Sequence, residues 1–388
     1  VVLGVTGSIA AYKIANLARM LVKQHCEVHG LMTQNATNFI NPITFETLTK
    51  HKCLIDTFDR NFEFSVEHVA LAKAADVVMI APASANVIGK IANGIADDML
   101  TTTVMACPCK KIVSPAMNHN MFHNPIVQDN IEKLKHYGYE IVEPAHGMLA
   151  NGDMGDGRMP DEELLFEYIV KEIAFEKDMT GKKVLVTAGA TVEAIDPVRF
   201  ITNHSSGKMG FALAKNAMLR GADVTLVMGK CDSEPPVFAN TVKVQSAKDM
   251  YDAVIERADS MDIIVKAAAV ADYRPKNVSS EKVKKQDGNM SIELELTDDI
   301  LKTLGERKNG QFICGFSMET ENMLENSRKK LEKKNCDMIV ANNLKQDGAG
   351  FGGNTNIVTL ITKDDEVQLE KMTKDEVAEK IFDFILSR

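Results

Sequence analysis

Apolar and polar positions along the chain fall into short β-branched runs that alternate with amphipathic stretches. Residues 1–7 (VVLGVTG), 27–33 (EVHGLMT), 75–84 (ADVVMIAPAS), 110–117 (KKIVSPAM) and 139–144 (YEIVEP) read as strands. Residues 9–24 (IAAYKIANLARMLVKQ) and 125–138 (PIVQDNIEKLKHYG) space their apolar residues as helices do. Strands that end in small residues, each followed by a helix, predict a parallel sheet covered on both faces, with ligands at the carboxyl ends of the strands.

A helix-like stretch at 162–177 (EELLFEYIVKEIAFEK) meets the turn DMTGKK (178–183), and there the pattern restarts with KVLVTAG (183–189). It continues through GFALAKNAMLRG (210–221), ADVTLVMG (222–229), MYDAVIERAD (250–259) and MDIIVKAAAVAD (261–272). The expectation is an α/β protein of two domains, 1–178 and 179–388, each a mostly parallel Rossmann-like sheet with helices on both faces. The halves are not obvious repeats of one another.

A length of 388 residues suits two or three domains, and 45% hydrophobic with 26% charged residues is the composition of a soluble globular protein. The net charge of −9 argues against a nucleic-acid or anionic-membrane binder. No uninterrupted apolar run reaches the length needed to span a bilayer. The chain opens on a strand already in progress, so a few residues are expected before Val1. Seven cysteines, an odd and scattered number, imply reduced thiols and a cytoplasmic setting. Cys107 and Cys109 form CxC, and no cluster completes a zinc site with them.

The stretch HGMLANGDMGDGRMP (146–160) first suggests calcium, since Asn151, Asp153 and Glu162 fall at positions 1, 3 and 12 of an EF-hand loop. Gly155 at position 5 and Asp156 at position 6 break that pattern, as does Pro160. No Lys-Ser or Lys-Thr pair follows the glycines, so a phosphate loop is equally poor. What remains is a mobile loop able to close over a ligand, with Arg158 available for a carboxylate or phosphate.

Gly7 and Ser8 in GVTGSIAAYK place backbone N–H groups at a strand-to-helix turn where an anion binds, and Thr33, Ser84 and Asn86 add hydroxyls and an amide at further strand ends. GxGxxG is absent, which counts against a nicotinamide-dependent dehydrogenase. In the second half, TAGATVEAIDPVRFITNHSSGKMG (187–210) leads into a helix with two Ser, a Lys and two Gly, a suitable anion platform.

GSIAAYK, APASANxxxKxANGxADDML, PAMNHNM and GDMGDGRM together resemble the flavoprotein half of a coenzyme A biosynthesis family in which phosphopantothenoylcysteine decarboxylase is fused to phosphopantothenate–cysteine ligase; they span nearly all of residues 1–175. The resemblance implies FMN bound by Gly7, Ser8, Ile9, Thr33, Ser84 and Asn86. It implies His68, in SVEHVALAKAAD, as the residue that positions or deprotonates the substrate cysteine, and Asn118 as the holder of the departing carboxylate. Met121, Met154 and Arg158 are implied substrate contacts, with 146–160 as the flap over the site. A cysteine carboxylate has no electron sink, and oxidising the thiol creates one; decarboxylation then gives an enethiol that reduced FMN returns to the saturated amine. At Asn151 the family carries a cysteine, the final proton donor, and an amide is no comparable acid. Three alternatives follow: another donor serves, the half-reaction stops at the enethiol, or the position was altered. A flavin-binding regulatory protein is a reading of a different class.

The second half resembles the ligase of the same family, which implies activation of 4′-phosphopantothenate by CTP, with Mg²⁺ or Mn²⁺, through an acyl-cytidylate that cysteine attacks. Asn203 and Lys282 are the implied catalytic residues, and Ser205, Ser206 and Gly207 contact substrate. Gly189, Ala268, Ala269, Asp272, Thr297, Asp298, Asp299, Ile300 and Phe316 surround the nucleotide, joined by the cations Lys282, Lys330 and Lys334, with Asp272 also at the metal. The product 4′-phosphopantothenoylcysteine feeds the decarboxylase. The resemblance implies a homo-oligomer, a trimer-based and possibly dodecameric core with dimerising ligase domains.

Overall fold

The computed structural model describes residues 1–58, 67–284, 290–319, 322–343 and 353–388. The chain forms two compact units, Val1–Phe175 and Glu176–Arg388.

In the first unit β1 (Val2–Val5), β2 (His29–Met32), β3 (Val77–Ala83), β4 (Lys110–Pro115) and β5 (Glu140–Ile141) form a parallel sheet in the order β2-β1-β3-β4-β5. All seven residues of β3 are buried, as a central strand covered on both faces requires. Its side chains alternate between two cores. Val77 and Met79 pack with Ile14, Leu17 and Leu21 of α1 (Ala11–Lys23). Val78 and Ile80 pack with residues of the helices on the other face, such as Ile88, Leu100 and Ile131. After α2 (Pro42–Thr49) and α3 (Glu67–Ala74), that second face holds α4 (Ala85–Ala92), α5 (Met99–Ala106), the short α6 (His119–Phe122) and α7 (Pro125–His136). α8 (Glu162–Ile173) returns to the first face through Leu165 and Ile169. The conspicuous KxANGxADDML motif has a structural task here: Lys90 pairs with Asp97 at 2.7 Å, and Asp98 caps α5 in a reciprocal box with Thr101.

Residues 146–160, expected as a mobile loop, carry most of a β-hairpin, β6 (Ala145–Met148) against β7 (Met154–Arg158), with Met148 opposite Met154; the hairpin form is what the sequence did not suggest. Its glycines serve close approach. A Cβ on Gly157 (φ +113°) would stand 2.3 Å from the Met117 carbonyl oxygen, and the Met117 N–H donates to the Gly157 carbonyl at 3.0 Å.

The second unit begins with β8 (Lys183–Ala188), the small antiparallel pair β9 (Val192–Ala194) and β10 (Phe200–Thr202), and α9 (Lys208–Leu219). It continues with β11 (Asp223–Met228), β12 (Asn240–Lys243), α10 (Ala247–Ala258), β13 (Ile263–Lys266), β14 (Tyr273–Pro275) and β15 (Leu294–Leu296). Next come α11 (Ile300–Arg307), β16 (Phe312–Glu319), α12 (Met323–Lys333) and β17 (Met338–Asn343). β18 (Thr355–Asn356), β19 (Val358–Ile361), β20 (Glu366–Gln368), β21 (Met372–Thr373) and α13 (Lys374–Leu386) complete it. The main sheet runs β12-β11-β8-β13-β16-β17-β19-β20, parallel through β17 and antiparallel at the β19 and β20 edge. α9 lies close against β8 because Gly210 lacks a side chain; a Cβ there would meet that of Ala188 at 2.5 Å. In both sheets the connection order reverses beside the first strand of the unit, between β1 and β3 and between β8 and β13, which is where α/β sheets bind ligands.

All seven cysteines are free, and no helix among the described residues is long and apolar enough to cross a membrane.

Candidate functional sites

The first unit holds a cavity of about 520 Å³ at the carboxyl ends of β1 and β4. Ser8, Ile9, Tyr12 and Lys13 approach it from the turn after β1, Ala116–Asn118 from the turn after β4, and Met148–Asn151 with Gly157–Met159 from the hairpin. Of the residues singled out in the sequence it gathers Ser8, Ile9, Asn118, Asn151 and Arg158. Asn118 caps α6, its Oδ1 accepting from the Asn120 N–H at 2.9 Å. Lys13 and Arg158 share Asp161, at 2.8 and 3.3 Å, so two cations stand at this cavity around one carboxylate. Asn151 turns the hairpin: its amide donates to Asp153 at 2.5 Å, and its oxygen accepts the Asp153 N–H.

Gly7, Thr33 and Ser84 follow strand ends and Asn86 lies in the first turn of α4, but none of them lines this cavity. Thr33 caps a short 3₁₀ turn and Ser84 caps α4. A residue the sequence reading missed joins them. The buried Thr6 hydroxyl donates to the Pro82 carbonyl at 2.7 Å and accepts the Ser84 N–H at 2.9 Å, tying the turn after β1 to that after β3. His68, half-buried on α3, and the exposed Met121 and Met154 also lie outside the cavity lining.

The second unit holds a cavity of about 510 Å³. It brings together Asn203, Ser205, Ser206, Gly207, Ala268, Ala269, Asp272, Phe316 and Lys330 from the sequence reading, and adds Lys208, Lys266 and Lys374. Gly207 caps α9 with φ +80° and Gly189 ends β8 with φ +78°; a Cβ on either would fall within 2.6 Å of the Cys231 sulfur. The loop after β13 is stitched to the loop after β8: the Ala268 N–H donates to the Thr187 hydroxyl, the Ala271 N–H to that of Thr191, and the Ala269 N–H to the Gly189 carbonyl. Asn203 donates its amide to the Ala269 carbonyl at 3.2 Å. Lys330 donates to the Phe316 carbonyl at 2.8 Å.

Other assigned residues lie beside this cavity rather than on it. Thr297 is bound to the backbone of Asp272 and Ala271, Asp298 is exposed, and Asp299 caps α11 and pairs with Lys334. Ile300 is 2% exposed, its side chain packed in the core with Leu301 and Leu304. Lys282 is exposed, on a segment pinned at Val283. The buried Asp196 accepts the Val283 N–H at 3.1 Å while Arg199 donates to the Val283 carbonyl at 2.6 Å. The Arg199 guanidinium, aided by three backbone N–H groups, holds the Asp196 carboxyl well below the usual range against the effect of burial.

Lys266 ends β13. Burial pushes its ammonium down to about 8, assisted by Lys330 and Lys334 and opposed by Asp299 and Asp272. Its sequence signal was slight, a single cation at the end of the apolar run DIIVKAAAVAD.

Residues 1–174 match the family described as Flavoprotein, and residues 179–388 match DFP, the DNA/pantothenate metabolism flavoprotein C-terminal domain. The chain is 48% identical over 367 residues to the coenzyme A biosynthesis bifunctional protein CoaBC of Bacillus subtilis (strain 168), covering 94% of this chain and 90% of that one. It is 42% identical over 388 residues to the protein of that name from Vibrio cholerae serotype O1, covering 99% and 97%. A crystal structure of the C-terminal domain of a CoaBC protein is 47% identical, with a TM-score of 0.48, and covers 55% of this chain and 97% of that one.

Proposed function

The chain belongs to the family of bifunctional coenzyme A biosynthesis proteins, and from that membership we propose how its two cavities divide the work. It is an enzyme that joins a flavoprotein decarboxylase to a phosphopantothenate–cysteine ligase. The relatives carry the bifunctional name over 90% and 97% of their lengths, which favours neither an impaired decarboxylase nor a regulatory flavoprotein.

The ligase works in the second cavity. The observation that carries this reading is its charge: Lys208, Lys266, Lys330 and Lys374 line it against the single carboxylate of Asp272 among the described residues. Such a site suits CTP and 4′-phosphopantothenate, whose phosphates concentrate negative charge. The α9 N-terminus with Ser205, Ser206 and Gly207 receives an anion, and Phe316 lies beside the base. Mg²⁺ binds through few carboxylates plus substrate phosphates, so Asp272 suffices as its protein ligand. Asn203 hydrogen-bonds the acyl-cytidylate, and Lys282, on its pinned segment, offsets charge as cysteine attacks.

The decarboxylase works in the first cavity. Its apolar walls, Ile9, Met117 and Met159, suit a flavin ring, while Ser8 and the neighbouring strand ends suit a phosphate. Ser8 and Ile9 of this lining, with Gly7, Thr33, Ser84 and Asn86 beyond it, would hold FMN, which would supply the thiol oxidation that gives the carboxylate an electron sink. Asn118 holds the carboxylate, and the hairpin excludes water from above. That His68 is not among the residues lining this cavity fits a homo-oligomer in which a second copy supplies it. Exposed apolar side chains support the same assembly, with Ile9 58%, Tyr12 62%, Met121 49% and Met154 64% exposed. A trimer-based core with dimerising ligase units, in the cytoplasm, completes the reading.

Two tests arise here. Residues 179–388, expressed alone, are expected to ligate 4′-phosphopantothenate and cysteine with CTP at a rate within a few-fold of the whole chain; loss of ligation in a folded fragment would mean that the first unit completes the site. The second concerns Lys266, charged below about pH 8 and neutral above it. Apparent affinity for CTP is expected to fall as pH rises through that value. Lys266→Arg, always charged, should flatten the profile, and Lys266→Gln should weaken CTP roughly ten- to hundredfold, the worth of a charge-assisted hydrogen bond. An unchanged profile in Lys266→Arg would remove Lys266 from nucleotide binding.

A further inference from the structure

Where the hairpin meets α6, two imidazoles contact the Asp156 carboxylate and a third accepts the Asp156 backbone N–H, and no role assigned above involves them. His123 Nε2 stands 2.9 Å from one oxygen of Asp156, and His146 Nδ1 stands 2.9 Å from the other. His119 lies one helical turn before His123, with their ring centroids 4.4 Å apart, and its Nδ1 accepts the Asp156 N–H at 3.1 Å. Ligand atoms of His119, His123 and Asp156 all lie within 4.8 Å of one another. Gly155 makes the approach possible, since a Cβ there would stand 2.7 Å from His119 Nδ1.

We propose that His119, His123 and Asp156 form a divalent transition-metal site, Zn²⁺ fitting first, that fastens the β6–β7 hairpin to α6. Two imidazoles and a carboxylate are the donors of three-ligand zinc sites, with water at the fourth position, whereas Mg²⁺ and Ca²⁺ take oxygen. Bonds of about 2.0–2.1 Å in a tetrahedron set neighbouring ligand atoms roughly 3.3 Å apart, so the His123–Asp156 pair opens by only a few tenths of an ångström to admit the ion. His146 is the outer partner: it holds the second carboxylate oxygen and so orients the ligating one. Binding exchanges the His119–Asp156 N–H bond for a metal bond. The ligands come from two elements, His119 and His123 from α6 and the residue that follows it, Asp156 from β7. The ion therefore joins the roof of the cavity to the segment that begins at Asn118. The proposal does not depend on either catalytic assignment.

The test is calorimetric titration of the FMN-loaded full chain with Zn²⁺ in thiol-free buffer, for the parent, His123→Gln and Asp156→Asn. The expected result is one Zn²⁺ per chain, with affinity at least tenfold weaker in both variants, and amide hydrogen exchange over residues 145–158 slowed by Zn²⁺ in the parent alone. Melting temperatures of the metal-free variants within a few degrees of the parent establish that they fold. Equal uptake by all three proteins, or exchange at 145–158 unaffected by bound Zn²⁺, would overturn the proposal.

Discussion

His68→Asn is expected to abolish decarboxylation, with a loss of at least roughly 10²–10⁴-fold, the range for removing a positioned acid or base. Bound FMN and ligation should be untouched. The residue lies on α3, outside the lining of the first cavity. If a second copy supplies it, mixing His68→Asn with an Asn118 variant before assembly should restore part of the activity, because some sites would then combine an intact Asn118 with an intact His68. Loss of the yellow colour in a folded His68→Asn protein would mean that the residue supports the cofactor instead, and normal turnover would remove it from the site.

Asn203→Asp is expected to halt ligation or trap the acyl-cytidylate, lowering turnover by about 10²-fold or more, as losing a donor aimed at developing charge does. The amide of Asn203 donates to the Ala269 carbonyl, and a carboxylate there faces both that oxygen and the phosphate of the intermediate. Product formation and pyrophosphate release, followed together, separate the two outcomes: release without product marks the trapped intermediate. Normal turnover would place Asn203 outside the chemistry.

The parallel sheets were legible because buried strands announce themselves as apolar runs. IAAYKIANLARMLVKQ holds α1 (Ala11–Lys23), and PIVQDNIEKLKHYG holds α7 (Pro125–His136) with its proline at the first turn. The strand expected over 139–144 shrinks to Glu140–Ile141, since it sits at the sheet edge with β4 as its single partner. The hairpin escaped for a different reason. A stretch of glycines with no β-branched or aromatic residue carries no strand propensity, and its conformation comes from tertiary contacts such as that of Gly157 with Met117. The four-lysine lining was partly hidden because Lys208, Lys266, Lys330 and Lys374 come from separate elements, two of them inside apolar or amphipathic runs. Ile300 shows the opposite case, a position carried in with its motif neighbours that packing assigns to the core. The histidine cluster around Asp156 was invisible because its members lie on both sides of α7 in sequence.

On the proposed reading this one chain completes both reactions although Asn151 stands at the tip of the hairpin. The most direct measurement is anaerobic mass spectrometry of the product formed by the FMN-loaded protein from 4′-phosphopantothenate, cysteine, CTP and Mg²⁺, read beside the flavin spectrum. The expected product is 4′-phosphopantetheine over many turnovers, with the flavin oxidised again at the end. A product about 2 Da lighter, formed once per flavin and left with reduced FMN, would contradict that reading, since those are the two hydrogens of the unfinished reduction.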